Sequence, residues 1–276
     1  INVKIFILHT SPLTLSAFVK FHSLFFERIH ILLYPLEPLD NIPTYVSLTF
    51  LACVITCFGF LYYAATRAGG EKGNGAVIMT TFIALWIFIV TILSLNGFYQ
   101  DYDFMPPKLF LFLGIMIICI AGLFIYPKTR EFIGQMPITT LTYLHIVRVP
   151  VEIVLWWLFI NGAVAESMTF QGVNFDILSG ISAPFAGLFL VGMKSKSKLA
   201  AIIWNLLTLG LLVNIVARAI QATPYFFDPA IYDQPNMAVF YFPYVLLPLF
   251  VVPVVFFCHM ASFYQLIFIK EPEEDY

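Results

Sequence analysis

His145, Arg148 and Glu152 stand three and four residues apart inside an otherwise apolar stretch, LTYLHIVRVPVEIVLWWLFINGA at 141–163. On a helix that spacing sets all three on one face. The set offers a titratable imidazole, a fixed cation and an anion, groups suited to holding an ion or relaying a proton across a hydrophobic layer. Arg148 and Glu152 are placed to pair with each other at i, i+4. Pro150 between them has no N–H and crowds the carbonyl of Ile146, which predicts a kink and a free acceptor. The structural alternative is a neutral internal staple of Arg148 and Glu152, with His145 a satisfied interface histidine.

A second set gathers near one end of the same stretch. Asn174 and Asp176 open the next apolar segment, and Asn214, Arg218 and Gln221 lie towards the end of the one after it. Counting depth from the segment ends predicts an ion pair between Asp176 and Arg218. Asn161, Asn174, Asp176, Asn214 and Arg218 are thus expected to floor a polar vestibule leading down to Glu152, with ordinary interfacial polarity as the alternative. Trp204 and Asn205 are placed to pack against the last apolar segment, which carries Pro243, Pro248, Pro253, His259 and Gln265.

The elements that must carry these groups follow from composition. Of 276 residues, 61% are hydrophobic and 11% charged, and the mean hydropathy is +0.90. Globular chains average about 45–50% apolar and about 25% charged. A soluble domain of this size has too little interior for so much Leu, Ile, Val and Phe. The expectation is an all-α polytopic membrane bundle of seven spans, at 43–65, 76–97, 107–126, 141–163, 176–193, 199–220 and 238–268. Most approach the roughly 20 residues that cross a hydrocarbon core. Glu152 then lies roughly 15 Å from either boundary. A lone charge at that depth costs about 2.5–3.5 kcal/mol, so it must face the bundle and find a partner.

Loop charges set direction. Arg67, Lys72, Lys128, Arg130, Lys194, Lys196, Lys198 and Lys270 fall in alternate loops or after the last span, while Asp101, Asp103, Glu166, Asp228 and Asp233 fall in the others. The positive-inside rule places the N-terminal side of the first span outside and the C-terminus in the cytoplasm of a multi-pass cell (inner) membrane protein. The 41–270 bundle is preceded by residues 1–40, read as an amphipathic interfacial segment around 18–36 with a spanning helix over 5–26 as its rival. Because the chain begins at Ile1, part of that segment is expected to be foreign to the folded unit. Residues 271–276 form an acidic cytoplasmic tail. Aromatics near the outer edge (Tyr99, Tyr102, Phe104, Tyr225, Phe226, Phe227, Tyr241 and Tyr244) read as interfacial anchors, or as an aromatic mouth above a pocket.

Several classes drop out. A net charge of −2 supplies no basic field for nucleic acid. No phosphate-loop, dinucleotide, zinc-protease or nucleophile-elbow motif is present. No catalytic residue, metal site or cofactor is assigned, and the four cysteines read as small apolar packing residues. Seven helices with an outer N-terminus resemble the rhodopsin-like topology, but no lysine lies between Ala238 and Ile269, which excludes a retinal Schiff base in the usual place. Topology alone carries no function. Three readings remain: a transporter or channel for an ion or small polar solute, proton-coupled through Glu152, Arg148 and His145; a ligand-binding sensor or non-catalytic membrane partner subunit, its KSKSK loop at 194–198 docking a protein or anionic headgroups; and an intramembrane enzyme acting on lipid or quinone. Expected partners are membrane lipid, a small molecule or ion, and a second copy or another membrane subunit.

Overall fold

The computed structural model describes residues 39, 41–68, 74–192 and 197–269, and all regular structure among them is helical. The amphipathic reading of 18–36 and the acidic tail lie outside the described residues. Eight helices organise the rest: α1 Thr44–Ala68, α2 Gly75–Leu95, α3 Lys108–Ile125, α4 Pro127–Gly134, α5 Ile138–Ile160, α6 Ile177–Leu190, α7 Lys198–Gln221 and α8 Leu247–Phe268. Six of them (α1, α2, α3, α5, α7 and α8) are long and apolar enough to cross a membrane.

The expected fifth span, 176–193, is shorter. It consists of nine α-helical residues, Ile177–Phe185, and five π-helical ones, Ala186–Leu190. At helical rise that covers about 20 Å, less than the roughly 30 Å of a hydrocarbon core. The segment before it packs into the bundle. Val164, Ala165, Met168, Thr169 and Asn174 are all buried. Irregular backbone survives such burial only when its polar groups are met. Here the Met237 and Ala238 N–H groups donate to the Ala163 carbonyl, Gln234 Nε2 donates to Val164, and Asn174 Nδ2 donates to Met168. The last span also begins later than 238, because Pro243 and Pro248 lack N–H groups and regular helix sets in only at Leu247.

Burial grades the helices. Of the most apolar stretch of each, 61% is buried in α8 and 50% in α5, against 6% in α2, so α5 and α8 form the centre and α2 the rim. The α5 helix packs against α1, α6 and α8, and α8 packs against α3, α5 and α7. Two prolines shape this core. Pro150 cannot bond to the Ile146 carbonyl, and the turn just before, His145–Val147, is tightened to 3-10 geometry between the α-helical halves of α5. Pro253 likewise leaves the Leu249 carbonyl without its helical donor, and Trp86 Nε1 of α2 donates to it at 2.8 Å.

Close approach of α6 to the tightened turn depends on Gly180. A Cβ there would stand 2.9 Å from the Val149 nitrogen and 3.2 Å from the His145 carbonyl oxygen, tighter than packing allows. With hydrogen in that place, the N-terminus of α6, and Asp176 with it, comes level with Arg148.

Candidate functional site

The α5 triad is buried as its spacing required: His145 is 0%, Arg148 3% and Glu152 1% exposed. Its pairing is not the expected one. Arg148 reaches across to α6, with Nε donating to Asp176 Oδ2 at 2.6 Å and Nη2 to Oδ1. Nη2 also donates to the Thr208 carbonyl of α7 at 3.0 Å, and Nη1 lies 3.3 Å from His259 Nε2 of α8. The reason is geometric. A planar guanidinium matches a carboxylate bidentately when the partner faces it from a neighbouring helix, and an i+4 residue on its own helix does not offer that approach.

The predicted Asp176–Arg218 pair is therefore absent, since Asp176 starts a helix that begins deeper than depth counting assumed. Arg218 instead donates through Nε to Asn214 Oδ1 at 3.1 Å, and Asn214 Nδ2 donates to the Val173 carbonyl at 3.2 Å. Asn161 donates back to Trp157 of its own helix. The expected vestibule thus divides: Asn174 and Asp176 join the α5 triad, while Asn161, Asn214 and Arg218 bond elsewhere.

Glu152 is held by Asn174, whose Nδ2 lies 2.6 and 2.7 Å from its two carboxyl oxygens. The amide cannot be turned round. Its Oδ1 accepts the Asp176 backbone N–H at 3.0 Å and its Nδ2 also donates to the Met168 carbonyl at 2.9 Å. One asparagine from the folded-back segment so couples Glu152 to Asp176, a role its place in the sequence did not suggest.

The opposite end of the cluster is imidazole. His145 and His259 rings lie 4.3 Å apart between centroids at 36°, and His145 meets the Trp204 ring at 5.6 Å and 75°. Asn205 clamps His259, with its Oδ1 2.6 Å from Nδ1 and its Nδ2 donating to the His259 carbonyl at 3.0 Å. Both nitrogens of His145 are buried without a hydrogen-bond partner. Among the described residues no three of His, Cys, Asp and Glu come together as metal ligands.

A cavity of about 80 Å³ lies between α3, α5, α7 and α8, and Arg148, Glu152 and Asp176 contribute to its wall. The rest is almost wholly aliphatic, including Val151, Leu155, Leu212, Ile215, Val251 and Val255. Asn236 also lines it, fully buried, its Oδ1 without a partner. Residues 106–267 match DUF8737, a domain of unknown function. The chain belongs to that family. No curated protein and no solved structure matches it. The DUF8737 match runs from the approach to α3 into the end of α8, so it takes in the whole charged cluster and all four helices around the cavity, and leaves out α1 and α2.

Near the loops, Phe110 of the cavity wall packs against Tyr225 and Phe226, and Phe240 against Tyr102 and Tyr225. Burial pushes the Tyr102 and Tyr225 phenols above their ordinary range, with Asp101 and Asp103 adding to the effect at Tyr225. Both rings are neutral at physiological pH. On the other side of the charged layer a second, smaller space of about 10 Å³ is lined by Trp204, Asn205 and Ser262, enough for about one water.

Proposed function

We propose that this DUF8737 chain is a multi-pass membrane protein whose bundle binds a small lipophilic molecule, with Glu152 as the polar contact. The membrane reading is supported by the large apolar side chains on the outer faces of the long helices, among them Ile55, Phe88, Ile118 and Leu207, all more than half exposed. Lipid is the medium that covers such faces without cost. Seven crossings, with α6 and the segment before it together making one of them, and basic loops on the cytoplasmic side, remain the topology that the charge pattern supports.

The binding reading rests on one observation: a cavity with aliphatic walls that contains a buried carboxylate. Ligand sites are mostly apolar with a few convergent polar groups, and this wall has that composition. A hydrated ion or a polar solute would have to shed water against Leu, Ile and Val over most of the path, which the same wall opposes. The sensor or partner-subunit class therefore fits better than a channel.

Filling the cavity tests this. In lipid nanodiscs, Ala219→Phe should retain the helical content and monodispersity of the wild type while losing a lipophilic molecule that native mass spectrometry detects on it. Identical bound species on the two proteins would defeat the proposal.

Transport remains a second reading because of His145. Its two partnerless nitrogens lie between the large cavity and the small space at Trp204 and Asn205, where a proton would have to pass to connect them. Proton or cation flux into proteoliposomes that is abolished by Glu152→Gln and His145→Phe would favour it over simple binding.

A further inference from the structure

We propose that the occupant of the cavity is a cationic amphiphile, an aliphatic chain carrying a protonated amine, with its ammonium group on the Glu152 carboxylate. This rests on the binding reading above and names the chemistry of the ligand.

Charge balance around Glu152 carries the argument. The bonds of Arg148 run to Asp176, Thr208 and His259, and none to Glu152. Arg148 and Asp176 neutralise each other. Glu152 is left with Asn174, which is uncharged, and the orientation of that amide is fixed by the Asp176 N–H and the Met168 carbonyl. One N–H of Asn174 goes to the Met168 carbonyl, so the other is shared between the two carboxyl oxygens of Glu152. That single donor leaves most of the acceptor capacity of the carboxyl group unused. A protonated amine brought to this carboxyl, which is 1% exposed, would hold it ionised and supply its counter-charge, and the cavity wall contains no cation besides the already paired Arg148.

The second polar group on the wall has the same polarity. Asn236 Nδ2 donates to the Ala219 carbonyl at 3.2 Å, which leaves its Oδ1 as the free atom, an acceptor. The hydroxyl of Thr223 is likewise occupied, donating to the Ile220 carbonyl at 2.6 Å. Glu152 and Asn236 both await hydrogen-bond donors, which disfavours a fatty acid or any anionic headgroup. Shape adds the chain. The wall follows α7 from Leu212 to Thr223, a rise of about 16 Å, and over that length its side chains are aliphatic apart from Thr223 at the end. At about 80 Å³ the cavity suits a short alkyl chain, of about four carbons, with a compact donor head on the carboxyl group.

Butylamine, butanol and butanoate share one chain and differ in the head, so they make the test. Each is titrated onto the full chain in nanodiscs of zwitterionic lipid, and an apparent Kd is taken from the rise in the thermal unfolding midpoint. The amine should bind at least about tenfold more tightly than the alcohol, and the acid more weakly still. In Glu152→Gln the amine and alcohol should come within about twofold of each other while butanol binding persists, which also certifies that the variant is folded. Equal binding of amine and alcohol to the wild type, or an amine preference that survives Glu152→Gln, would overturn the proposal. If Glu152→Gln loses butanol as well, Ala219→Phe decides: loss of the amine preference supports the proposal and its persistence overturns it. Three heads bound alike, and all displaced by Ala219→Phe, would leave the cavity as a binding site and refute only the cationic head. No binding of any head would remove both.

Discussion

Arg148 of α5 and Asp176 of α6 form a bidentate ion pair across the helix interface, 3% and 5% exposed, and in doing so they leave Glu152, one turn along from Arg148, without a cation. The pair locks the start of α6 to the middle of α5. A neutral pair can be accommodated at membrane depth far more easily than a single charge. Glu152 is left with Asn174 as its partner, and its carboxyl group faces whatever enters the cavity.

Breaking the pair should be expensive. Arg148→Met leaves the Asp176 carboxylate buried and unmatched, and the expected loss of stability is about 3–5 kcal/mol. Removing both charges together, in Arg148→Met with Asp176→Leu, should cost clearly less than the sum of the single changes. A double-mutant cycle by denaturant unfolding in bicelles reads the coupling. A coupling of Arg148 with Glu152 larger than with Asp176 would contradict the observed pairing.

Asn174 is the hinge between the two carboxylates. Asn174→Ala removes the donors from Glu152 and exposes the Met168 carbonyl and Asp176 N–H as unmet groups, for an expected cost of about 2–3 kcal/mol. Asn174→Asp should be worse, because it sets a second carboxylate against Glu152 at hydrogen-bond distance. Adding Glu152→Gln to Asn174→Asp should then restore stability, an unusual case in which a second change at a buried polar site rescues the first. Unfolding midpoints of the four proteins check this.

Trp86 of α2 is bonded to the carbonyl that Pro253 frees in α8. Trp86→Phe keeps an aromatic ring but removes the N–H, so the Leu249 carbonyl is left buried without a donor, at about 1–3 kcal/mol. In a Pro253→Ala background a helical N–H is available at that position, and the same Trp86→Phe change should cost less. Equal costs in the two backgrounds would show that the indole bond does not answer the proline.

How much of this could be read beforehand follows from which forces act locally. The shared face of His145, Arg148 and Glu152 is a consequence of helical period, and the six long apolar helices follow from composition and length. The suspicion that Trp204 and Asn205 meet the last helix also matches the geometry, with Asn205 bonded to His259. Partner choice was different. The i, i+4 rule favours Arg148 with Glu152, yet the better-shaped carboxylate, Asp176, comes from a helix whose depth is set by the folded-back segment before it. That fold-back depends on carbonyls at 163, 164 and 168 finding donors from residues 237, 238, 234 and 174, contacts that no local pattern encodes. Asn236, the second acceptor in the cavity, lies in a proline-containing loop where asparagine ordinarily signals only a turn.

The close seating of α6 on α5 gives the last test, because two glycines of similar helical context should respond oppositely. At Gly180 an added Cβ would stand 2.7 Å from Val149 Cγ2 and 2.9 Å from the Val149 backbone nitrogen. The backbone cannot yield as a flexible side-chain tip would, so Gly180→Ala forces α6 outward and weakens the Arg148–Asp176 lock, with an expected loss of about 1–3 kcal/mol. At Gly210 on α7 nothing lies within 4 Å of the same atom. There Gly210→Ala only reduces the freedom of the unfolded chain and improves helix propensity, for a gain of about 0.4–1 kcal/mol. Circular-dichroism melts of both variants in the same bicelles give the sign directly. A neutral Gly180→Ala would mean that the two helices are not pressed together at that point, and the placement of Asp176 beside Arg148 would then need another cause.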